Sequence, residues 1–321
     1  MYYVVVNHSY CLQTADYRLT KMPELPEVET IVRQLDAKLR GRTIRSVVLL
    51  QSGRETPRGK KFEAALAGKR IKNISRRAKL LVWNFTDGSA LIAHLKMTGR
   101  FVFVGKGYQP QKHDRAVFIF TEHGSRRARH ASPWPPRSAR QAGWLAMRAG
   151  NTERLVWSDV RKFGYVRLVS NPRELEQVTE KYGPEPLEVS ASELAGRLKL
   201  PKTRKVKVAL MDQATIAGIG NIYADEALFR AGIRSTRRLS NLTKNDRLRL
   251  AQEIKQVLAE SVRRRGTSAS DYVDASGKQG GFLKHLRVYG RAGERCVVCG
   301  TPIKRITIGQ RGTHYCPKCQ T

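Results

Sequence analysis

Two Cys-x-x-Cys pairs near the C-terminal end constrain the fold of this chain more than any other feature. Cys296 and Cys299 form the first pair, Cys316 and Cys319 form the second, and 16 residues separate the two pairs. Four thiolates with this spacing are typical of a closed, tetrahedral zinc site with a structural role. The segments on either side of residues 309–312 can pair as two strands around a turn. Two disulfides, or four thiols without a metal, are the alternatives.

The charge of the chain indicates a polyanionic partner. Lys and Arg number 60, Asp and Glu number 27, and the formal net charge is +33. Basic side chains gain affinity for nucleic acid by releasing phosphate counterions, so nucleic acid is the first candidate partner. A ribosomal-type protein and a membrane-surface protein are the alternatives, because charge alone does not separate an enzyme from a coating protein.

Cysteine usage and hydropathy indicate the compartment. The chain has no stretch of about 18 apolar residues, so no transmembrane helix is expected. Residues 1–21 lack the basic start and the long apolar run of a secretory signal. Only Cys11 lies outside the two cysteine pairs. This pattern favours a metal site in a reducing cytoplasm over a disulfide framework, and we expect a cytoplasmic protein.

The periodicity of apolar residues divides the chain into a strand-rich part and a helical part. Apolar residues recur every three or four positions over Val28–Leu39, which predicts an amphipathic helix. From residue 43 to about residue 169, short apolar runs alternate with Gly, Asp and Asn, which indicates a β-sandwich or barrel. Helical patterns follow from residue 172. We predict a two-domain α+β fold: an N-terminal β-sandwich with flanking helices, and a C-terminal helix-two-turns-helix domain with a zinc-finger hairpin.

The predicted domain limits follow these changes in pattern. Residues 1–21 are interpreted as an extension outside the mature protein, 22–171 as the β-sandwich domain, 172–290 as the helical domain and 291–321 as the zinc finger. Residues 125–150 interrupt the strand pattern with six arginines, three prolines and no acidic residue. We interpret them as a long basic loop inserted between strands. Extra DNA contact through phosphates and stacking, and no function at all, both stay open for this loop.

A glycine-rich turn joins two predicted helices. The segment Ala217–Tyr223 contains Gly218 and Gly220, and we predict that Asn221 caps the helix that follows. Free backbone N–H groups at such a helix start bind phosphate. Because a helix precedes the turn, the motif favours a grip on a DNA backbone over a nucleotide-cofactor loop. Close packing between two helices is the alternative.

The segment Met22–Thr30, with the sequence MPELPEVET, resembles the start of formamidopyrimidine-DNA glycosylases, and the resemblance extends to Gln320. The other matching segments are Arg76–Lys79, His94–Gly99, Lys112–Asp114, Asp159–Gly164, Gly183–Leu187, Gly218–Tyr223, Asp271–Asp274 with Gly277 and Lys278, Val288–Arg291 and the four cysteines. Leu25 and the segment 271–278 are more similar to the branch that acts on oxidised purines than to the endonuclease VIII branch. The resemblance implies an enzyme that excises oxidised purines, such as 8-oxoguanine and formamidopyrimidines, and then cuts the strand.

The resemblance also implies roles for individual residues. Pro23 would be the nucleophile and Glu24 the acid/base. Lys79 would contact phosphate and serve in β-elimination, and Arg311 would assist the δ-elimination. The residues implied to contact DNA are His94, Met97, His113, Arg161, Phe163, Lys202 and Asn221, with Met97, Arg161 and Phe163 as the wedge that fills the space of a flipped nucleotide. Without the resemblance, Lys79 would be read as a solvated strand residue, Met97 and Phe163 as core residues, and His113 as a turn residue.

The proposed nucleophile places a condition on the N-terminus. A terminal secondary amine is partly unprotonated near neutral pH and can form an iminium with a sugar carbon. Pro23 inside a continuous chain is a tertiary amide and cannot do so. We therefore hypothesise that Met22 is the true start, or that residues 1–21 are cleaved. Mass spectrometry of the native protein tests this, and an active enzyme that retains Met1 would refute it.

The expected partners are damaged double-stranded DNA and one structural Zn²⁺, with no nucleotide cofactor and no membrane. A monomer is the default expectation. Two other functions stay open: an oxidised-pyrimidine glycosylase with the same nucleophile, and a non-catalytic DNA-binding relative if Met1 is retained.

Overall fold

The computed structural model describes residues 22–51, 59–105, 107–121, 153–199, 203–268 and 272–321. The predicted extension 1–21 and the predicted basic loop 125–150 lie outside these described residues, and so does Lys202. The domain limits given above stay predictions.

The N-terminal part is a sandwich of two antiparallel four-stranded sheets. Its strands are β1 (Ile44–Leu49), β2 (Ile71–Arg77), β3 (Leu80–Phe85), β4 (Ala90–His94), β5 (Gly99–Val104), β6 (Asp114–Phe120), β7 (Arg154–Asp159) and β8 (Tyr165–Val169). One sheet has the order β1-β6-β7-β5 and the other has the order β2-β3-β4-β8. Large aromatic side chains fill the space between the sheets, with Trp83 in contact with Phe101, Phe118 and Phe120.

Two helices flank the sandwich. Helix α1 (Leu25–Leu39) buries one apolar face, which includes Ile31 and Leu35, in the same core as the sheets. Pro26 lies in its first turn, where the missing N–H costs nothing. Helix α2 (Lys60–Leu66) is short and buries only Phe62 and Leu66.

The sequence patterns missed α2 and strand β2. Strand β2 is polar, with the sequence IKNISRR, and only Ile71 and Ile74 are buried. It is the edge strand of its sheet. Its position follows from backbone pairing with β3, and its side chains show no apolar period that would have predicted a strand. Helix α2 is too short, with too few apolar residues, to show a helical period.

The C-terminal part is helical and has its own apolar core. Its helices are α3 (Pro172–Thr179), α4 (Ala191–Arg197), α5 (Val206–Met211), α6 (Asn221–Arg230) and α7 (Lys244–Arg263). The start of α7 is a capping box, in which Thr243 accepts from Asp246 N and the Asp246 side chain accepts from Thr243 N. Leu250, Ile254 and Leu258 line its buried face as the sequence predicts. None of the helices in the described ranges has both the length and the apolar character needed to cross a bilayer.

A two-stranded hairpin of β9 (Lys304–Ile308) and β10 (Arg311–Tyr315) lies between the two cysteine pairs. The hairpin predicted between the cysteine pairs is therefore confirmed. The predicted fold class is confirmed as well: a β-sandwich with flanking helices precedes a helical domain that carries this hairpin.

Candidate active site at the start of the first helix

The side chain of Glu24 joins the two halves of the protein. Glu24 is 3% exposed, and its carboxylate accepts hydrogen bonds from Gly220 N at 2.9 Å, Ile222 N at 3.0 Å and Tyr223 N at 3.4 Å. These N–H groups lie at the start of α6 and have no partners inside the helix. Pro23, which directly precedes Glu24, is also buried.

This arrangement corrects the predicted cap of α6. Asn221 is the first residue of the helix, Gly220 is the N-cap residue, and no side-chain cap comes from Gly220 itself. The carboxylate of Glu24 takes the place of a local capping side chain. The prediction failed because the capping carboxylate belongs to a residue 196 positions away, so the sequence around α6 contains no sign of it.

Two glycines allow this close approach. A Cβ atom on Gly220 would lie 2.3 Å from Glu24 Cδ, far inside contact distance. Gly218 has φ +82°, where side chains are strained, and a Cβ there would lie 2.7 Å from Leu25 Cβ. The two glycines of this turn therefore allow it to pack closely against Glu24 and Leu25.

Replacing Gly220 with alanine should displace the Glu24 carboxylate. If Glu24 is the acid/base that the resemblance implies, Gly220→Ala should lower the rate of lesion excision by about 100-fold, because small misplacements of such a group cost rates of this order. Single-turnover excision assays measure the effect. The matched control is Gly196→Ala, since a Cβ on Gly196 meets no atom within 4 Å and the position is helical. Equal rates for the two variants would contradict the prediction.

Burial changes the acidity of Glu24. Loss of solvent raises the pKa of its carboxyl group, while the charge of Lys79 and the helix N–H groups oppose the rise. The net direction is upward, so the group retains a proton more readily than an exposed glutamate. A carboxyl group of this kind can donate a proton to a leaving group and accept one later.

A second carboxylate, Glu27, lies beneath this site and was not singled out from the sequence. It accepts from Glu24 N at 2.9 Å, Tyr223 Oη at 2.5 Å and Thr267 N at 2.7 Å. Burial raises the pKa of Glu27 to about 7. In the sequence, Glu27 looks like an ordinary acidic residue in the first turn of a helix, and only its burial distinguishes it.

Lys79 lies in the turn between β2 and β3 and is 8% exposed. Interpreting it as a solvated strand residue is therefore wrong. Burial lowers the pKa of Lys79, the nearby charge of Arg311 lowers it further, and the carboxylates of Glu24 and Glu27 oppose this. The amine loses its proton more readily than an exposed lysine, so it is suited to proton transfer.

Glu185 holds the turn that carries Lys79. Its carboxylate accepts from Ala78 N at 2.6 Å and from Arg77 at 3.0 Å, and it also pairs with Arg76. Glu185 lies in the helical part of the protein, between helices α3 and α4. The β2–β3 turn is thus fixed to the helical domain rather than free to move with the sheet edge.

Arg311 is the exposed first residue of β10, next to the hairpin turn. Buried polar contacts attach the adjacent backbone to the helical domain. Lys207 Nζ donates to Gly312 O at 3.1 Å and pairs with Asp225 at 2.7 Å, and neither charged side chain is exposed. Asn221 Nδ2 also donates to Gly312 O, at 3.0 Å. The pair between Lys207 and Asp225 could not be predicted, because in the sequence a buried ion pair looks like two ordinary surface charges.

The four predicted zinc ligands meet at the base of the hairpin. Their Sγ atoms lie within 4.8 Å of one another, with Cys296 and Cys319 separated by 3.8 Å and Cys299 and Cys316 by 3.4 Å. A tetrahedral zinc with Zn–S bonds of about 2.3 Å places its sulfurs roughly 3.8 Å apart. The thiols are unbridged, so the two-disulfide alternative is wrong. The residues fit one structural zinc, whose role is to hold the hairpin closed.

Removing the zinc should release the hairpin that carries Arg311. We expect Cys319→Ser to lose the bound zinc and to weaken DNA affinity by roughly tenfold or more, or ~1.4 kcal/mol. The matched control is Val298→Ser, in the same cysteine segment, at a side chain that is 67% exposed. Zinc content by mass spectrometry and DNA binding by anisotropy measure the effect. Unchanged affinity in zinc-free protein would contradict the prediction.

His94 lies beside Lys79, because its register partner is Leu80. Its Nδ1 accepts from Lys96 N at 2.9 Å, and burial lowers the pKa of His94 to about 3, with nearby lysines adding to the effect. The ring is therefore neutral at physiological pH, and its hydrogen lies on Nε2. That nitrogen remains a hydrogen-bond donor, which is what a phosphate oxygen requires.

The predicted wedge residues lie at one end of the sheet with the order β1-β6-β7-β5. Phe163 is 54% exposed, and the guanidinium of Arg161 lies 5.1 Å from its ring centroid. Met97 is half-buried in the turn before β5. Phe163 is therefore not a core residue, and Met97 is only partly covered. His113, half-buried, directly precedes β6 at the same end of the sheet.

Backbone strain is concentrated beside the candidate residues. Five described residues other than glycine have φ between +52° and +61°, a region that side chains disfavour. Four of them adjoin the predicted site: Ala78 precedes Lys79, Lys96 precedes Met97, Lys162 lies between Arg161 and Phe163, and Gln310 precedes Arg311. Strained conformations persist where the surrounding structure holds them, and functional sites are frequent among such places.

Comparison with known families assigns most of the chain. The family model for the formamidopyrimidine-DNA glycosylase N-terminal domain matches residues 22–166. The model for the H2TH domain of the same family matches residues 182–273. A zinc finger found in FPG and IleRS matches residues 293–321.

Individual relatives agree with these matches. The formamidopyrimidine-DNA glycosylase of Desulfitobacterium hafniense is 41% identical over 303 residues, which cover 93% of this chain and all of that protein. The structure of Lactococcus lactis Fpg in complex with DNA that contains an abasic site matches with a TM-score of 0.77 and 31% identity, covering 93% of this chain and 99% of that one. A structure of MutM with DNA containing carbocyclic 8-oxo-G matches with a TM-score of 0.76 and 31% identity, covering 93% and 100%. The chain belongs to the formamidopyrimidine-DNA glycosylase family.

Proposed function

We propose that this protein is a bifunctional base-excision repair enzyme. It removes oxidised purines, such as 8-oxoguanine and formamidopyrimidines, from duplex DNA and then cuts the strand at the abasic site. The observation that carries the proposal is the buried carboxylate of Glu24, directly after Pro23, with a raised pKa and with Lys79 nearby. Membership of the family supports the same reaction.

The nucleophile is the secondary amine of Pro23. Its nitrogen forms a bond to C1′ of the damaged nucleotide, and the glycosidic bond to the base breaks. Glu24 donates a proton to the leaving base, takes up the proton that the Pro23 nitrogen loses, and passes it to the ring oxygen as the bond between C1′ and that oxygen breaks, which leaves an iminium between Pro23 and C1′. The amine exists only when Pro23 is the first residue, so we propose that the functional chain starts there, after removal of Met22. The N-terminal family match, which begins at residue 22, agrees with this start.

Strand cleavage follows from the iminium. Lys79, whose pKa is lowered by burial, takes part in removal of the C2′ proton, and the 3′ phosphate leaves in the β-elimination. Arg311, next to the rigid hairpin turn, assists departure of the second phosphate. A guanidinium is suited to this because it stays charged and binds phosphate with a fixed fork of donors.

The remaining predicted residues bind DNA. His94, His113, Lys202 and Asn221 contact the phosphate backbone, and Met97, Arg161 and Phe163 fill the space that the flipped nucleotide leaves. The excess of basic residues attracts the duplex from a distance. In this proposal the enzyme acts as a monomer in the cytoplasm, at the nucleoid, without a nucleotide cofactor.

Competition between lesions tests the proposed substrate. Duplexes that carry 8-oxoguanine or an oxidised pyrimidine compete for a form of the chain that begins at Pro23, and borohydride traps the covalent intermediate. We expect faster excision of the oxidised purine. Preference for the pyrimidine would favour an endonuclease VIII-like activity, and the absence of any trapped product would favour a non-catalytic DNA-binding protein.

A further inference from the structure

A buried carboxylate, Asp159, joins the two loops that carry the wedge residues. Asp159 ends strand β7 and is 1% exposed. Its Oδ1 accepts from Thr98 Oγ1 at 2.5 Å and from Arg161 N at 3.2 Å, and its Oδ2 accepts from Gly164 N at 2.6 Å. Thr98 belongs to the loop before β5, and the other two donors belong to the loop after β7.

Thr98 tightens this connection. Its Oγ1 donates to Asp159 and also accepts from Arg161 N at 3.0 Å, so one hydroxyl group links both loops. Gly99 is the register partner of Asp159, which places the loops side by side at the end of the sheet. A Cβ atom on Gly164 would lie 3.0 Å from Asp159 Oδ2, so the loop after β7 lies tightly against the carboxylate.

Each loop contains a lysine in the left-handed backbone conformation, Lys96 with φ 52° and Lys162 with φ 59°. Lysine has no intrinsic preference for this conformation, so interactions around each loop must hold it. Asp159 accepts from Arg161 N and Gly164 N, which lie on either side of Lys162, and from the hydroxyl group of Thr98, which lies two residues after Lys96. The neighbouring residues Met97 and Phe163 are thereby held in fixed relation to each other.

We infer that Asp159 is a positioning residue that makes the two wedge loops act as one unit when a nucleotide is pushed out of the duplex. The inference rests on the proposed function, because it concerns the step that precedes base excision. The hydrogen bonds that the Asp159 carboxylate accepts come from the two wedge loops, not from Pro23 or Glu24. Its loss should slow nucleotide extrusion and leave the chemistry at an already extruded nucleotide nearly unchanged.

A neighbouring aspartate provides a matched control. Asp114 is equally buried, and its carboxylate accepts from Ser158 Oγ, Tyr108 Oη and Gln111 N. These contacts organise the loop before β6 and include neither of the loops that hold Met97 and Phe163. Asp114→Asn removes a buried carboxylate at the same end of the sheet without breaking the link between the wedge loops.

The test compares one lesion in two settings. In the first duplex an 8-oxoguanine is paired with cytosine, and in the second the same lesion lies in an unpaired internal loop, where extrusion costs less. We expect Asp159→Asn to slow single-turnover excision from the paired site by about 30-fold and from the unpaired site by less than about threefold. The NH₂ group of the new asparagine is a hydrogen-bond donor, and it faces groups that donated to the carboxylate of Asp159. A 2-aminopurine beside the paired lesion should report slower unstacking.

A second variant distinguishes loss of the link between the loops from misfolding of Asp159→Asn. Thr98→Val keeps the shape of the side chain and removes the shared hydroxyl, and we expect the same selective loss with a smaller size. Asp114→Asn should change both substrates by the same factor. Equal losses on both duplexes for Asp159→Asn and Thr98→Val, or no loss on either, would overturn the inference. If the unaltered enzyme neither excises nor forms a trapped adduct on any lesion, the proposed function fails instead.

Discussion

A form of the protein whose backbone runs unbroken through Pro23 is expected to form no covalent adduct with lesion-bearing DNA. In that form the nitrogen of Pro23 is a tertiary amide, without the lone-pair reactivity that attack on C1′ requires. A form that begins at Pro23 should be trapped by borohydride. The difference should be on the order of 10³-fold or more, as for other enzymes that lose their nucleophile. Denaturing gels measure the adduct, and intact mass spectrometry verifies the first residue of each form.

Two variants of the form that begins at Pro23 complete this experiment. Pro23→Gly exchanges the secondary amine for a primary one and should sharply weaken trapping. Pro26→Ala is the matched control, because it removes a proline from the first turn of the same helix and leaves the terminal amine intact. Normal processing of lesion DNA by protein that still carries Met1 would show that the proposed nucleophile is wrong.

The second large effect concerns Glu24. Glu24→Gln should reduce excision of an oxidised purine by about 10²- to 10⁴-fold, the usual contribution of a positioned acid/base. The amide cannot supply a proton, and its NH₂ group places a donor against the N–H group of either Gly220 or Ile222, which donate to different carboxylate oxygens of Glu24. Cleavage at a preformed abasic site should fall less, because no base has to leave. Single-turnover rates on the two duplexes measure the two effects.

A control separates the acid/base role from loss of a helix-start carboxylate. Glu193 lies in the first turn of α4 and is exposed, so Glu193→Gln changes the same chemical group where no reaction occurs. We expect its excision rate to equal that of the unaltered protein. If Glu24→Gln still folds, as thermal unfolding would report, and excises the purine at the normal rate, Glu24 is not the acid/base.

Elements with a strong local period could be predicted closely. The apolar run Leu80–Phe85 is a strand with the same bounds in the structure. The cysteine spacing predicted a hairpin and a zinc site, and both are confirmed. The polar edge strand Ile71–Arg77 could not be predicted, because its place depends on pairing with a neighbour rather than on its own side chains.

The candidate site divides in the same way. Pro23, Glu24, Lys79 and Arg311 were found through their motifs, and their roles stay proposals. Asp159 lies in the same motif as Arg161 and Phe163. The sequence of that motif does not show that the Asp159 carboxylate accepts hydrogen bonds from two loops.

The sequence by itself determined the kinds of elements and the zinc hairpin, because helical period, alternation and cysteine spacing are local properties that do not depend on the fold. It determined the family through short motifs that resemble those of known members, beginning with Met22–Thr30. Only the tertiary structure decided the chemistry of the groups. Glu24 meets the start of a helix almost 200 residues away, and burial there raises its pKa, while burial of Lys79 lowers the pKa of its amine. A side chain loses solvent, and accepts hydrogen bonds from distant segments, only once the chain has packed. These effects therefore cannot be predicted from the residues that neighbour it in the sequence.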